Sequence, residues 1–261
     1  MRMLMCEPRY FGVLYEINPW MKVTNQPDLA LAARQWENLR SKLVGLGVQV
    51  ETIPPREGLP DMVFTANGGF ACGDMFVCSN FRYPQRRPES DRFAQWFAER
   101  GYRIARLPPD HSFEGAGDVK MYGDLLFGGF HYRSDIHTHL ALGDQVGREV
   151  ISLELVDPRF YHLDTCFAPL DDRTVMYYAP ALAEYSVRTI RRHTAFQIEV
   201  GQADALDFAC NCLAVGRTVV VNRASDALRQ QLSEHEFDVV EAGTSEFMKS
   251  GGSVACMTLS L

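Results

Sequence analysis

The sequence predicts an α/β chain of five repeats that closes into a ring of small mixed sheets with helices outside. Three observations lead there. Helical stretches recur with starts roughly 40 to 60 residues apart. Each is followed by a short strand and then by a hairpin with a turn signal. One strand-like segment, "MRMLMCEP", is left at the amino terminus to close the ring. An ordinary doubly wound sheet competes with this reading, but it does not need a turn signal in every repeat.

The elements follow in order. "DLALAARQWENLRSKLVGLG" has apolar residues three and four apart and ends on glycine, so it reads as a helix over 28–47. Strand "VQVETIP" follows, then the apolar runs of "FTANGGFACGDMFVCSN", turning at Gly73-Asp74. Helix "ESDRFAQWFAERG" leads to strand "YRIARLP" and to hairpin "VKMYGDLLFGGF", turning at Gly123-Asp124. Helix "SDIHTHLALGDQVG" leads to "EVISLELV" and to "TCFAPLDDRTVMYYAP", turning at Asp171-Asp172. Helix "ALAEYSVRTIRRH" leads to "FQIEV" and to "DFACNCLAVGRTVVVN", turning near Gly216-Arg217. Helix "ASDALRQQLSEHE" leads to "FDVVEA" and to a last strand, "SVACMTLSL". No composition shift or linker divides the chain, which predicts one unit over 1–261.

Composition narrows the function classes. A net charge of -7 and the lack of a basic stripe argue against nucleic-acid binding. No apolar run has the length of a membrane helix, and the first residues lack a signal-peptide stretch. Seven cysteines, an odd count without regular spacing, point to a reduced cytoplasmic chain. Cys210 and Cys212, around Asn211, read as packing residues on one face of a strand. His137 and His139 read as surface residues of a helix rather than metal ligands. No zinc motif, P-loop or dinucleotide fingerprint is present.

The unexpected polar residues fall at one place in each repeat. Asp61 and Asn67 precede the first hairpin, and Asn67 opens a strand where valine would be ordinary. Glu114 and Asp118 in "FEGAGD" precede the second hairpin, and His162 and Asp164 in "YHLDTC" the third. Cys256 lies on the last strand. In a closed ring these positions converge on one pocket. A thiolate is a strong nucleophile once a nearby cation lowers its pKa. A histidine moves protons near neutral pH. Carboxylates beside the thiol would hold it protonated unless a cation sits among them, so they imply a cationic substrate. The planar fork of a guanidinium suits such a site.

In "DMVFTAN", "FEGAGDV", "YHLDTCF" and "GGSVACMTL", in that order over essentially the whole chain, the sequence resembles the guanidino-group-modifying enzymes of the pentein fold. That fold is a five-bladed α/β propeller of ββαβ units around a central pocket. The resemblance implies that Cys256 is the nucleophile, His162 the general acid/base, and Glu114 the carboxylate that binds the guanidinium and orients the histidine. It places Asp61 and Phe64 in the substrate pocket. It gives Arg86, with Arg87 beside it as the alternative, and Arg133 the task of holding the substrate's amino-acid end. No metal or organic cofactor is implied. The partner is a small cationic guanidino compound such as arginine, with no nucleic acid and no membrane, and a homo-oligomer is compatible with the sequence.

Two departures from the dimethylargininases select the subfamily. They carry lysine two residues after the catalytic histidine, whereas this chain has Asp164, as deiminases do. They place aspartate where this chain has Asn67. "FTAN", together with "INPWM" (17–21), which adds Asn18 to the substrate-binding set, resembles the cyanobacterial arginine dihydrolases. The implied reaction is hydrolysis of arginine to ornithine, ammonia and carbon dioxide. The alternatives are a deiminase or dimethylargininase giving citrulline, an amidinotransferase, an agmatine-acting enzyme, and a non-enzymatic ribosome-binding ring.

Overall fold

Each repeat folds as strand, strand, helix, strand, and the repeat that spans the termini is completed by both ends of the chain. The computed structural model describes residues 1–261. The chain begins with β1 (Arg2–Cys6), α1 (Leu29–Gly45) and β2 (Gln49–Ile53). The next repeat is β3 (Gly69–Cys72), β4 (Met75–Cys78), α2 (Arg87–Ala98) and β5 (Arg103–Arg106). Then come β6 (Val119–Tyr122), β7 (Leu125–Phe130), α3 (His137–Val146) and β8 (Val150–Glu154). They are followed by β9 (Phe167–Pro169), β10 (Thr174–Tyr177), α4 (Glu184–His193) and β11 (Phe196–Glu199). A short α5 (Gln202–Leu206) leads into β12 (Leu213–Val215), β13 (Thr218–Val221), α6 (Asp226–Glu234) and β14 (Asp238–Glu241). A short α7 (Ser245–Met248) precedes β15 (Leu259–Ser260).

These strands make five three-stranded sheets. In four of them a hairpin pairs antiparallel, and the strand after the helix returns parallel to the middle one. In the fifth, β15 stands in for the first hairpin strand: Leu259 pairs antiparallel with Leu4 of β1, which pairs parallel with β2. The amino-terminal strand therefore closes the ring as the sequence predicts, and the fold is the expected five-repeat α/β architecture. Gly73, Gly123 and Gly216 turn their hairpins at φ near +60°, the left-handed conformation such tight turns need. The third hairpin has no glycine there; Asp171 Oδ1 instead accepts from the backbone N–H groups of Arg173 and Thr174.

The helices cover the sheets with one face. In α1 the buried residues are Ala32, Trp36, Leu39 and Leu43, at helical spacing, and Asp28 caps its first turn by accepting from Leu31 N at 3.0 Å. In α2, Phe97 stacks on Phe76 of β4 with ring centroids 3.7 Å apart.

A tight turn precedes the first strand of each hairpin, and neighbouring turns are bonded to one another in a cycle. Ala66 N donates to Cys256 O (3.1 Å), joining the first turn to the last. Ala255 N donates to Asn211 O (3.2 Å), and Asn211 Nδ2 to Asp164 O (3.0 Å). Leu163 N donates to Asp118 Oδ1 (3.0 Å); between the first and second repeats the link comes from the segment after β4, where Asn80 and Phe113 exchange backbone hydrogen bonds.

Two sequence expectations change here. Asn67 lies in the turn Thr65–Gly68, ahead of β3, and Cys256 lies in a turn rather than on the last strand, which shortens to two residues. Neither has a ladder partner: Cys256 N and O bond across to Asn211 and Ala66 of other repeats, while Asn67 N closes its turn on Phe64 O and its O accepts from Ser79 Oγ.

Gly115 marks a close backbone approach between the second turn and the start of β3. It has φ +61°, and a methyl there would sit 2.4 Å from Gly69 O. Gly115→Ala is expected to cost about 2–4 kcal/mol, combining left-handed strain with overpacking. Gly123→Ala, with φ +55° and open space around it, is expected to cost only about 1–2 kcal/mol. Denaturant unfolding of both variants checks the difference; equal losses would mean that the second turn does not press on β3.

Candidate active site

Cys256 is 2% exposed and is gripped by one side chain of the fourth repeat. Asn211 Oδ1 accepts from Ser253 N and Cys256 N, both at 3.1 Å, which shapes the turn. Its Nδ2 donates to Cys256 Sγ at 3.1 Å as well as to Asp164 O. All of the amide's donors and both acceptor directions are used. On the other side the thiol faces the Asp164 carboxylate, at 3.4 and 3.6 Å. Burial pushes the Cys256 thiol well above its ordinary pKa, and the Asp164 charge pushes the same way. Burial also raises Asp164, whose nearest cation is Lys120 Nζ at 3.9 Å. The thiol is thus protonated at neutral pH until a positive charge arrives.

His162 is fixed by Glu114: its Nε2 lies 2.8 Å from Glu114 Oε2. That leaves Nδ1 as the atom able to exchange a proton, and Nδ1 is buried with no protein partner. Glu114 Oε2 also accepts from Arg133 Nη1 at 2.9 Å. Burial opposes ionisation of Glu114, but Arg133 and His162 outweigh it and hold the carboxyl below the usual range. Arg133 is itself held by Ile17 O at 3.0 Å and lies over the rings of Tyr83 and Tyr161. Asp118 supports the same group from behind: it accepts from Leu163 N, next to His162, and from Ser134 Oγ.

The substrate-pocket candidates form a second cluster. Asp61 Oδ2 accepts from Tyr15 Oη at 2.8 Å, while Oδ1 is buried without a partner. Arg86 pairs with Glu89 through Nε and Nη2, donates from Nη2 to Asp61 O, and gives Nη1 to Asn67 Oδ1 at 2.9 Å. Because a guanidinium only donates, this fixes the Asn67 amide with oxygen toward Arg86. The amide nitrogen is buried and unpartnered; a methyl on Gly117 would reach within 2.2 Å of it and 3.4 Å of the His162 ring. Between Arg86 and Arg87 the structure discriminates. Arg86 is buried among these groups, whereas Arg87 donates to Phe81 O and Arg82 O. Phe64 packs on Gly252, in the segment that leads to Cys256. Asn18 uses its polar atoms on backbone, accepting from Trp20 N and Met21 N and donating to Ser250 O. It thereby ties the 17–21 segment to the Cys256 loop.

Sequence reasoning missed Asn211. Its only signal is positional: it occupies the fourth repeat's turn, where the other repeats carry Asn67, Glu114, His162 and Cys256. Cys210 and Cys212, expected on a strand face, lie in and beside that turn, ahead of β12, and are buried. His139, expected at the surface, is buried, with Nδ1 2.7 Å from Ser152 Oγ, and burial lowers its pKa to about 4.

A sequence profile described as N,N dimethylarginine dimethylhydrolase, eukaryotic, matches residues 13–261. The N(G),N(G)-dimethylarginine dimethylaminohydrolase of Mycobacterium tuberculosis is 43% identical over 260 residues, covering 100% of this chain and 85% of that protein. The bifunctional arginine dihydrolase/ornithine cyclodeaminase AgrE of Nostoc sp. is 42% identical over 263 residues, covering 99% of this chain. The chain spans 37% of the length of AgrE. The N-terminal domain of ArgZ, a cyanobacterial arginine dihydrolase solved as a cysteine-to-serine variant bound to substrate, has TM-score 0.95 and 39% identity, covering 99% of this chain and 97% of that one.

Asp164 is the carboxylate nearest the thiol. Asp164→Asn is therefore expected to move the pH profile of iodoacetamide alkylation of Cys256, in substrate-free protein, toward lower pH. Removing a neighbouring negative charge favours the thiolate. An unmoved profile would show that Asp164 does not set the state of the thiol.

Proposed function

The chain belongs to the N,N-dimethylarginine dimethylhydrolase family, whose relatives act on guanidino groups, and from that premise we propose that it is an arginine dihydrolase working through a covalent Cys256 intermediate. The Cys256 thiolate attacks the guanidino carbon. The proton goes from His162 Nδ1 to the departing nitrogen, and ammonia leaves a thiouronium. Water, giving its proton to His162, displaces the sulfur and leaves the ureido group of citrulline. In the second cycle the Cys256 thiol gives its proton to His162, the thiolate attacks the neutral ureido carbon, and His162 returns that proton to the nitrogen that leaves as another ammonia. Hydrolysis of the thiocarbamate then gives a carbamate that breaks down to ornithine and carbon dioxide. Overall, arginine and two waters become ornithine, carbon dioxide and two ammonia, with residues 1–261 acting as one unit.

Asn67 carries the second cycle. With its oxygen held by Arg86, its free amide nitrogen can only donate. A guanidinium offers such a donor nothing, whereas the oxygen introduced by the first hydrolysis is an acceptor in need of one. An aspartate here would present only acceptors and would favour the first cycle alone. Asp61 Oδ1 and Asp164 supply the carboxylates for the cation. A dimethylargininase reading has the family profile and the mycobacterial relative behind it. Against it stands Asp164, a carboxylate packed against the nucleophile where substrate methyl groups would crowd it.

Product analysis decides between them. Arginine is expected to yield ornithine with two ammonia per arginine, and Asn67→Asp to shift the product toward citrulline with one. Wild-type protein that releases only citrulline from arginine, or that prefers methylated arginine, overturns the dihydrolase reading.

A further inference from the structure

We propose that His111, Asp135 and His137 form a binding site for a divalent cation of the zinc class, separate from the Cys256 pocket. His111 Nδ1 lies 3.2 Å from Asp135 Oδ2, and His137 Nδ1 lies 2.8 Å from Asp135 Oδ1. The three ligand atoms all fall within 4.8 Å of one another. The two imidazoles stack, with centroids 4.8 Å apart and planes 14° from parallel. Tetrahedral zinc with bonds of about 2.0–2.2 Å separates its ligand atoms by roughly 3.3 Å. The His111 contact is close to that; the His137 contact, 2.8 Å to the other oxygen of Asp135, is a hydrogen bond that lengthens when a cation takes the place of its proton. Two imidazoles and one carboxylate, with a fourth position open to water, suit zinc better than calcium or magnesium, which demand more oxygens.

The ligands are held in place by contacts that do not involve a cation. Asp135 N donates to Ser112 O at 2.8 Å, bridging the two loops beside His111. Asn80 Nδ2 donates to His111 O at 2.8 Å. Asp135 O accepts from Thr138 Oγ1. The His137 backbone N–H and both imidazoles face the Asp135 carboxylate. The H-x-H spacing of the sequence is not the ligand pair, because His139 turns inward to Ser152. The partners come instead from a distant loop and from the residue two before His137.

The site adjoins the catalytic support without sharing its groups. Arg133, which pairs with Glu114, and Ser134, whose Oγ accepts from Glu114 N, immediately precede Asp135. A cation joining the 111 and 135 loops braces the segment that orients Glu114.

Zinc chloride titrated by calorimetry into Cys256→Ser protein tests the proposal with the pocket thiol removed. One equivalent is expected to bind, with a rise in thermal midpoint, and both effects should vanish in the added His137→Ala and His111→Ala variants. The His137 side chain is 70% exposed, so its removal leaves the fold intact, and that variant decides the matter if His111→Ala does not fold. No saturable binding to the Cys256→Ser protein, or the same stoichiometry after His137→Ala, overturns the site and leaves two surface hydrogen bonds to Asp135.

Discussion

The structure depends on the cycle of hydrogen bonds that joins its five turns. Each repeat alone is a three-stranded sheet with one helix, too small to bury its apolar face. The cycle fixes how the five meet, and it does so with backbone groups and a few short polar side chains. Asn211 serves twice, bonding the third repeat through Asp164 O and the fifth through Ser253 and Cys256. Cys256, the proposed nucleophile, is therefore positioned by the bonds that close the fold, and its placement does not rest on a flexible loop.

That geometry sets the charge balance of the pocket. Asp61, Glu89, Glu114, Asp118 and Asp164 are buried there, against the buried guanidinium groups of Arg86 and Arg133. Burial raises Asp61, lifts Glu89 to about 7 and Asp118 to about 6. The arginines answer three of these acids: Arg86 pairs with Glu89 and, at 3.8 Å, with Asp61, and Arg133 pairs with Glu114. Asp164 has only the distant Lys120, and Asp61 keeps one unpartnered oxygen. In the proposed reaction a cationic substrate supplies the missing charge, and the same charge turns Cys256 from a thiol into a nucleophile. Binding and activation are then one electrostatic event.

The repeat was legible because glycine-aspartate turns, helix caps and apolar spacing are local signals, and each survived into the structure. Glu114, His162 and Asp164 were legible because charged or titratable residues stand out beside apolar strands. The elements nearest the cycle were not. Cys256 and Asn67 look like strand residues in sequence, but cross-repeat bonds hold Cys256 in a turn and bonds to Phe64 and Ser79 hold Asn67 in another. Asn211 was hidden between two cysteines that drew attention to packing, and its role exists only once the fourth turn meets the third and fifth. The pairing of His111 with Asp135 was equally invisible, since it joins separate loops.

The central claim is that the substrate's charge ionises Cys256, and the pH profiles of wild-type turnover of arginine test it most directly. The profile of kcat/KM reports the free protein, and that of kcat the complex. Burial and Asp164 raise the thiol in the free protein, so the acidic limb of kcat/KM is expected at higher pH than that of kcat. The separation measures how far bound arginine lowers the thiol. Coincident limbs, with Cys256 already ionised near neutral pH in the free protein, would contradict the account.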